Sequence, residues 1–188
     1  MESPHTITLS DAVSALKKGQ VGIMPTDTVY GIVARALDEL AVTRLYAAKG
    51  REGKPGTVIA ASVQQLRDLG IAQADLEMVA KWWPNPLSAV LPLSTREYLH
   101  QGLNSLAMRV VADSTIREVL EQTGPLLTSS ANLPGHPEAT TIDEAYEYLH
   151  DTVDFYVDGG VIAGRLPSTI IRPTARGIEV LRHGTIEL

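Results

Sequence analysis

Val21-Gly22-Ile23-Met24-Pro25-Thr26-Asp27-Thr28-Val29-Tyr30-Gly31 decides the fold class: a short buried apolar strand ends at Pro25 and passes directly into a loop crowded with hydroxyls. An apolar strand followed by a polar loop is where α/β proteins bring ligands, and the same arrangement recurs along the chain. Upstream, Ser10 reads as the N-cap of a helix through Lys18, with Leu9, Val13 and Leu16 on one face and Gly19 as its stop. Downstream, Asp38 caps a helix through Lys49 that Gly50 ends. Thr57 to Ala61 reads as a strand, and Ser62 with Gln65 forms a capping box for the next helix. A further helix runs from about Asp75 to Trp82 and is stopped by Pro84 and Pro86.

Leu87 to Leu93 and Leu106 to Val111 read as strands, and Asp113-Ser114 caps a helix to about Gln122. Leu126 to Ser129 is a strand leading into a polar loop, Ser130 to Glu138, and Thr141 with Glu144 is a second capping box, for a helix to Leu149. Phe155–Val157, Thr169–Arg172 and Ile178–Leu181 follow as strands without helices between them, which makes the sheet mixed rather than purely parallel. The expectation is an α/β fold, a twisted mixed sheet with flanking helices, in a single domain over residues 1–188.

Composition removes several kinds of chemistry. The chain has 188 residues, 44% of them hydrophobic, enough for a core without staples. It has no cysteine, which excludes disulfides, thiolate nucleophiles and cysteine-ligated metal centres. Met1 to Leu9 lacks a basic region followed by an apolar run, and no apolar stretch reaches the roughly 20 residues of a membrane helix, so a cytoplasmic protein without a membrane partner is expected. The net charge of −6 argues against sequence-independent coating of nucleic acid. The cations nevertheless gather near loops, as Lys49, Arg51 and Lys54 and then Arg172, Arg176 and Arg182, a pattern suited to small anions.

Familiar motifs fail on inspection. Gly50-Arg51-Glu52-Gly53-Lys54-Pro55 has too short a spacing for a phosphate-binding P-loop, and Pro55 stands where a hydroxyl would hold magnesium. Gly159-Gly160 with Gly164 lacks the spacing of a dinucleotide fingerprint. His5, His100, His136, His150 and His183 are scattered without metal-ligand spacing, and Ser129-Ser130 has no nucleophile-elbow setting. Three post-strand loops remain. Thr26, Asp27 and Thr28 either cap their own backbone in a tight turn or face a ligand. Lys49 to Lys54 is either a solvated helix end or a polyphosphate clamp. Thr128-Ser129-Ser130-Ala131-Asn132 concentrates small hydroxyl and amide groups that suit a phosphate or an adenylate ribose.

The order of Pro25-Thr26-Asp27-Thr28-Val29-Tyr30-Gly31, Lys49-Gly50-Arg51, Ser130-Ala131-Asn132, Ser168-Thr169-Ile170 and Leu181-Arg182-His183-Gly184 resembles the YrdC/Sua5 family of threonylcarbamoyl-AMP synthases over almost the whole chain. The chain looks like the short form, without the extra C-terminal Sua5 domain. The resemblance implies a sheet folded around a basic cavity and the synthesis of L-threonylcarbamoyl-AMP from L-threonine, bicarbonate and ATP, with pyrophosphate released, for threonylcarbamoyladenosine at position 37 of tRNA. It implies catalytic roles for Lys49, Arg51, Ser130 and Asn132, which line the ATP site with Lys54 and Arg182. Thr28, Arg109, Thr128 and Ser168 are implied around threonine, Arg109 holding its carboxylate. Magnesium arrives with ATP, and the labile product passes to a downstream threonylcarbamoyl-transferase complex.

This sequence departs from the family pattern at Glu52, which replaces a proline ahead of a loop about one residue shorter, so that either Lys54 or Pro55 takes a basic position. Trp83-Pro84-Asn85-Pro86-Leu87-Ser88 and Val111 depart as well. Two other readings stand beside the synthase: a paralogue that binds nucleotide or makes another carbamoyl adenylate, and a module that binds double-stranded RNA or tRNA without catalysis.

Overall fold

Thr8, rather than Ser10, starts the first helix: its hydroxyl accepts the Asp11 amide at 3.1 Å, and α1 runs Leu9–Lys17 with Ser10 inside its first turn. The computed structural model describes residues 4–50 and 52–188. The other sequence-read caps hold. Asp38 accepts the Ala41 amide at the head of α2, Glu39–Lys49, and Gly50 closes that helix in the left-handed region at φ 59°. Ser62 heads α3, Val63–Asp68, Asp113 heads α6, Ser114–Thr123, and Thr141 heads α7, Ile142–Leu149.

Both capping boxes close one residue earlier than the motif prescribes. The Gln65 side chain accepts the Ala61 amide, and the Glu144 carboxylate accepts the Thr140 amide and hydroxyl. The helix expected up to Trp82 divides into α4, Gln73–Val79, and a single 3₁₀ turn, Ala80–Trp82.

Among the described residues nine strands form one sheet: β1 (Gly22–Pro25), β2 (Tyr30–Arg35), β3 (Thr57–Ala60), β4 (Leu87–Pro92), β5 (Ser105–Val110), β6 (Leu126–Ser130), β7 (Phe155–Tyr156), β8 (Thr169–Thr174) and β9 (Gly177–Arg182). Their order is β7-β1-β2-β6-β3-β5-β4-β8-β9. The mixed character reaches well beyond the β8–β9 hairpin, because β1–β2, β2–β6, β3–β6 and β4–β5 are antiparallel too. Two elements go beyond the sequence reading. The loop read as Pro25 to Gly31 is a tight hairpin turn whose last two residues already belong to β2. A short helix, α5 (Glu97–His100), precedes β5.

The central strands are apolar on both faces, and alternate residues go to different cores. Ile23, Ile32, Ala34, Val58 and Ala60 join the larger core beneath α2, α4 and α7. Met24, Val33, Ile59, Val111 and Leu126 join Leu16 of α1 and Leu120 of α6 on the other face. Two residues along the strands from this second set stand Gly31, Thr57, Arg109 and Thr128, on the same face where the two helices no longer cover it. That uncovered strip is the floor of the candidate site.

Candidate active site

The turn between β1 and β2 caps its own backbone and also lines a cavity. The Thr26 hydroxyl donates to the Val29 carbonyl at 2.7 Å and accepts the Thr28 amide at 3.2 Å, which fixes the turn. Thr28 is thereby presented to a cavity of 140 Å³, and its hydroxyl lies 3.4 Å from the Arg109 guanidinium.

All four residues expected around threonine line this cavity: Thr28, Arg109, Thr128 and Ser168. They come from β-turn, β5, β6 and the segment before β8, and register makes them neighbours: Thr57 pairs with both Thr128 and Ala107, and Gly31 with Ser130. Two glycines allow the close approach. A Cβ at Gly31 would lie 2.4 Å from the Thr128 hydroxyl, and one at Gly56 would lie 2.5 Å from the Thr128 carbonyl.

Arg109 does not stand alone. Its Nε donates to Asp27 Oδ2 at 2.9 Å and its NH2 to Oδ1 at 2.5 Å, a bidentate pair with side chains 3% and 5% exposed. Asp27, read from the sequence as capping its turn or facing a ligand, is instead the neutralising partner of Arg109. NH1 points toward the Ser88 hydroxyl at 3.5 Å, and Ser88 in turn meets Ser168 at 3.0 Å. Arg182, expected at the nucleotide, lines this first cavity, where it donates to the Ser168 carbonyl at 2.7 and 3.1 Å and to its hydroxyl at 3.1 Å. Sequence reasoning missed Ser88 and Glu138 as members of the site, and it placed Asp27 in the candidate loop without its partner Arg109.

A second cavity of 290 Å³ adjoins the first through Ser130, which lines both. Lys49, Lys54, Ser130 and Asn132 line it, together with Glu52. Lys54 thus belongs to this cavity and Pro55 to the first, which separates the two candidates for the basic position. Arg51 lies outside the described residues. Lys49 follows Val42, Leu45 and Tyr46 on the buried stripe of α2, which is why its side chain is only 3% exposed. Its ammonium donates to the Ser130 carbonyl and Asn132 Oδ1, both at 2.6 Å, and to the Asn132 carbonyl. The Ser130 hydroxyl donates to Asn132 Oδ1 at 2.7 Å, and Asn132 Nδ2 to the His136 carbonyl at 2.6 Å. Lys49 therefore pins the Ser130–Asn132 loop.

The Tyr30 hydroxyl ties the turn to the segment that follows β7, accepting the Gly159 amide and donating to the Gly160 carbonyl, both at 2.8 Å. Burial pushes its phenol above the usual tyrosine range; the Gly159 amide opposes that and Asp158 adds to it. Among the described residues no group of three or more histidines and carboxylates could hold a metal, and Asp27 is committed to Arg109. The donor set does not fit a resident magnesium ion. No helix among the described residues is long and apolar enough to cross a membrane.

The family model Sua5_yciO_yrdC, described as "Telomere recombination", matches residues 14–184. A threonylcarbamoyl-AMP synthase of Pseudomonas aeruginosa is 34% identical over 176 residues, 91% of this chain and 94% of that protein. One of Pyrococcus abyssi is 34% identical over 183 residues, 94% of this chain and 54% of that protein. The crystal structure of P. abyssi Sua5 complexed with L-threonine superposes with a TM-score of 0.82 at 34% identity, covering 93% of this chain and 53% of that one. The chain therefore spans about half the length of its archaeal relative and nearly all of the bacterial one.

Proposed function

Because the chain belongs to the Sua5/YciO/YrdC family, we propose that it makes L-threonylcarbamoyl-AMP from L-threonine, bicarbonate and ATP, releasing pyrophosphate. The product serves threonylcarbamoyladenosine formation at position 37 of tRNA, in the cytoplasm. The observation that carries the reading is the pair of adjoining cavities, a small polar one behind Thr28 and Arg109 and a larger one beside Lys49, sharing Ser130.

In this reading L-threonine occupies the small cavity. Arg109 and Arg182 face its carboxylate, and a hydroxyl from Thr28, Thr128 or Ser168 meets its side-chain hydroxyl. A buried polar partner of that kind rejects valine, which would leave the site's own group unpaired. The threonine nitrogen takes up carbon dioxide delivered as bicarbonate, and the resulting carboxylate attacks the α-phosphorus of ATP across the Ser130 boundary. Pyrophosphate leaves in line. Lys49, Arg51 and Lys54 offset phosphate charge, while Ser130 and Asn132 orient the α-phosphate or ribose. Catalysis then rests on positioning, and no protein nucleophile is required. Magnesium enters as part of the substrate, held by the triphosphate and water. The product is a labile mixed anhydride, so it is handed to a threonylcarbamoyl-transferase complex.

The test is pyrophosphate release from ATP with and without L-threonine and bicarbonate. Release that needs both, and fails with valine, is the expected result; release indifferent to threonine overturns it. Glu52 in the wall of the second cavity favours one other reading, a relative using a different carbamoyl acceptor on the same scaffold. A panel of amino acids in the same assay separates the two.

A further inference from the structure

We propose that Glu138 is the base that removes a proton from the amino-acid substrate, an inference that rests on the synthase reading and adds a group that reading lacks. An α-ammonium group is protonated at neutral pH and has no lone pair to offer carbon dioxide. Some group must take that proton where the amine sits.

The small cavity has three charged residues in its wall, Arg109, Arg182 and Glu138. Two cations and one carboxylate around a small polar space are the complement of an α-amino acid, with its carboxylate toward the arginines and its ammonium toward the glutamate. Arg109 is already neutralised by Asp27, and Asp27 is fully engaged in that pair. Glu138 differs: among the described residues its carboxylate has no hydrogen-bond or ion-pair partner. Its backbone is nevertheless anchored: the next residue, Ala139, is buried and donates its amide to the Ala131 carbonyl at 3.2 Å. Glu138 and Ser130 line the same cavity, on the side where the new carboxylate must meet the α-phosphorus.

The chemistry balances. An N–H bond of the ammonium breaks, its electron pair stays on nitrogen, and the proton passes to a Glu138 carboxylate oxygen. The nitrogen lone pair forms the N–C bond to carbon dioxide, and one C=O electron pair moves to oxygen. A second proton leaves the nitrogen as the carbamate forms. Hydroxide released when bicarbonate becomes carbon dioxide takes one of the two protons as water, and the other goes to solvent.

The experiment compares the wild-type protein with Glu138→Gln and Glu138→Asp by threonine-dependent pyrophosphate release, from about pH 6.5 to about pH 9.5, with melting curves to confirm folding. At neutral pH Glu138→Gln should lose roughly 10²-fold or more in kcat, the scale of a positioned base. Its rate should climb toward wild type at high pH, where the amine deprotonates unaided, and Glu138→Asp should recover part of the loss. A Gln variant whose pH profile runs parallel to wild type, or whose threonine KM rises at unchanged kcat, overturns the proposal. A wild-type protein that releases pyrophosphate without regard to threonine instead refutes the functional reading itself.

Discussion

Replacing Asp27 by Asn is the sharpest test of how the small cavity is built. The carboxylate is 5% exposed and holds both Nε and NH2 of a guanidinium that is itself 3% exposed. Asparagine keeps the shape but presents an amide N–H₂ to one of those donors and removes the carboxylate that neutralises Arg109. Orphaning one member of a buried pair costs about 3–5 kcal/mol, chiefly because the remaining charge stays desolvated. For a chain of this size each kcal/mol moves the melting temperature by about 2–4 °C, so the ligand-free variant should melt roughly 6–20 °C lower. In the proposed reaction L-threonine brings a carboxylate of its own to the same guanidinium. Its stabilising effect, about 2.7 kcal/mol for wild type at a hundredfold excess over Kd, should be larger in the variant. Differential scanning fluorimetry over a threonine titration reads both numbers. A drop under about 3 °C would show that Arg109 does not depend on Asp27, and an unchanged threonine increment would remove Arg109 from the ligand's carboxylate.

Two further outcomes follow from the same structure. Lys49→Met keeps the length on the buried face of α2 but leaves the Ser130 carbonyl and both Asn132 oxygens without their ammonium donor; stability should fall by about 2–4 kcal/mol in urea titrations and ATP turnover by at least about tenfold, and normal turnover would reduce Lys49 to a structural post. Asp154 is pushed up by desolvation, but the Arg44 guanidinium and the Val21 amide more than offset this, so its carboxyl titrates below the ordinary range. A carboxyl depressed in the folded state contributes stability above its unfolded value, about 3.9, that is lost as pH falls through the folded value. Asp154→Asn should therefore be about 1 kcal/mol less stable at neutral pH and show a shallower loss in acid unfolding; an unaltered acid limb refutes the assignment.

The helices were legible because their ends carry local chemistry. Asp38 and Gly50 bracket α2, and Asp113 and Thr141 start α6 and α7, through bonds to residues three positions on. Ser10 misled because Thr8, two residues earlier, has the same capping chemistry and the helix face begins at Leu9. Strand β2 was harder. Tyr30-Gly31-Ile32-Val33-Ala34-Arg35 follows a hydroxyl-rich turn and is uncharged and buried up to Arg35, and a strand buried on both faces shows no alternation. The residues of the small cavity were readable as a set, but their partners were not. That Asp27 reaches Arg109, 82 positions away, is a product of sheet order, which local propensity does not encode.

Sheet order also explains why the site stands where it does. On one face, Val33, Ile59, Val111 and Leu126 lie under α1 and α6. Two residues further along the same strands the side chains become Gly31, Thr57, Arg109 and Thr128, and the covering helices are gone. Strand periodicity forces those positions onto the face already committed to burial, so polar groups there must be paired or must face a ligand. Arg109 is paired by Asp27, and the turn hydroxyls by one another and by the Val29 carbonyl. Glu138, entering from the loop after β6, has no partner among the described residues. That carboxylate is left to be completed by what binds, and the group that completes a carboxylate is a cation. In an amino acid bound by its carboxylate to Arg109 and Arg182, that cation is the ammonium, the group that has to give up its proton.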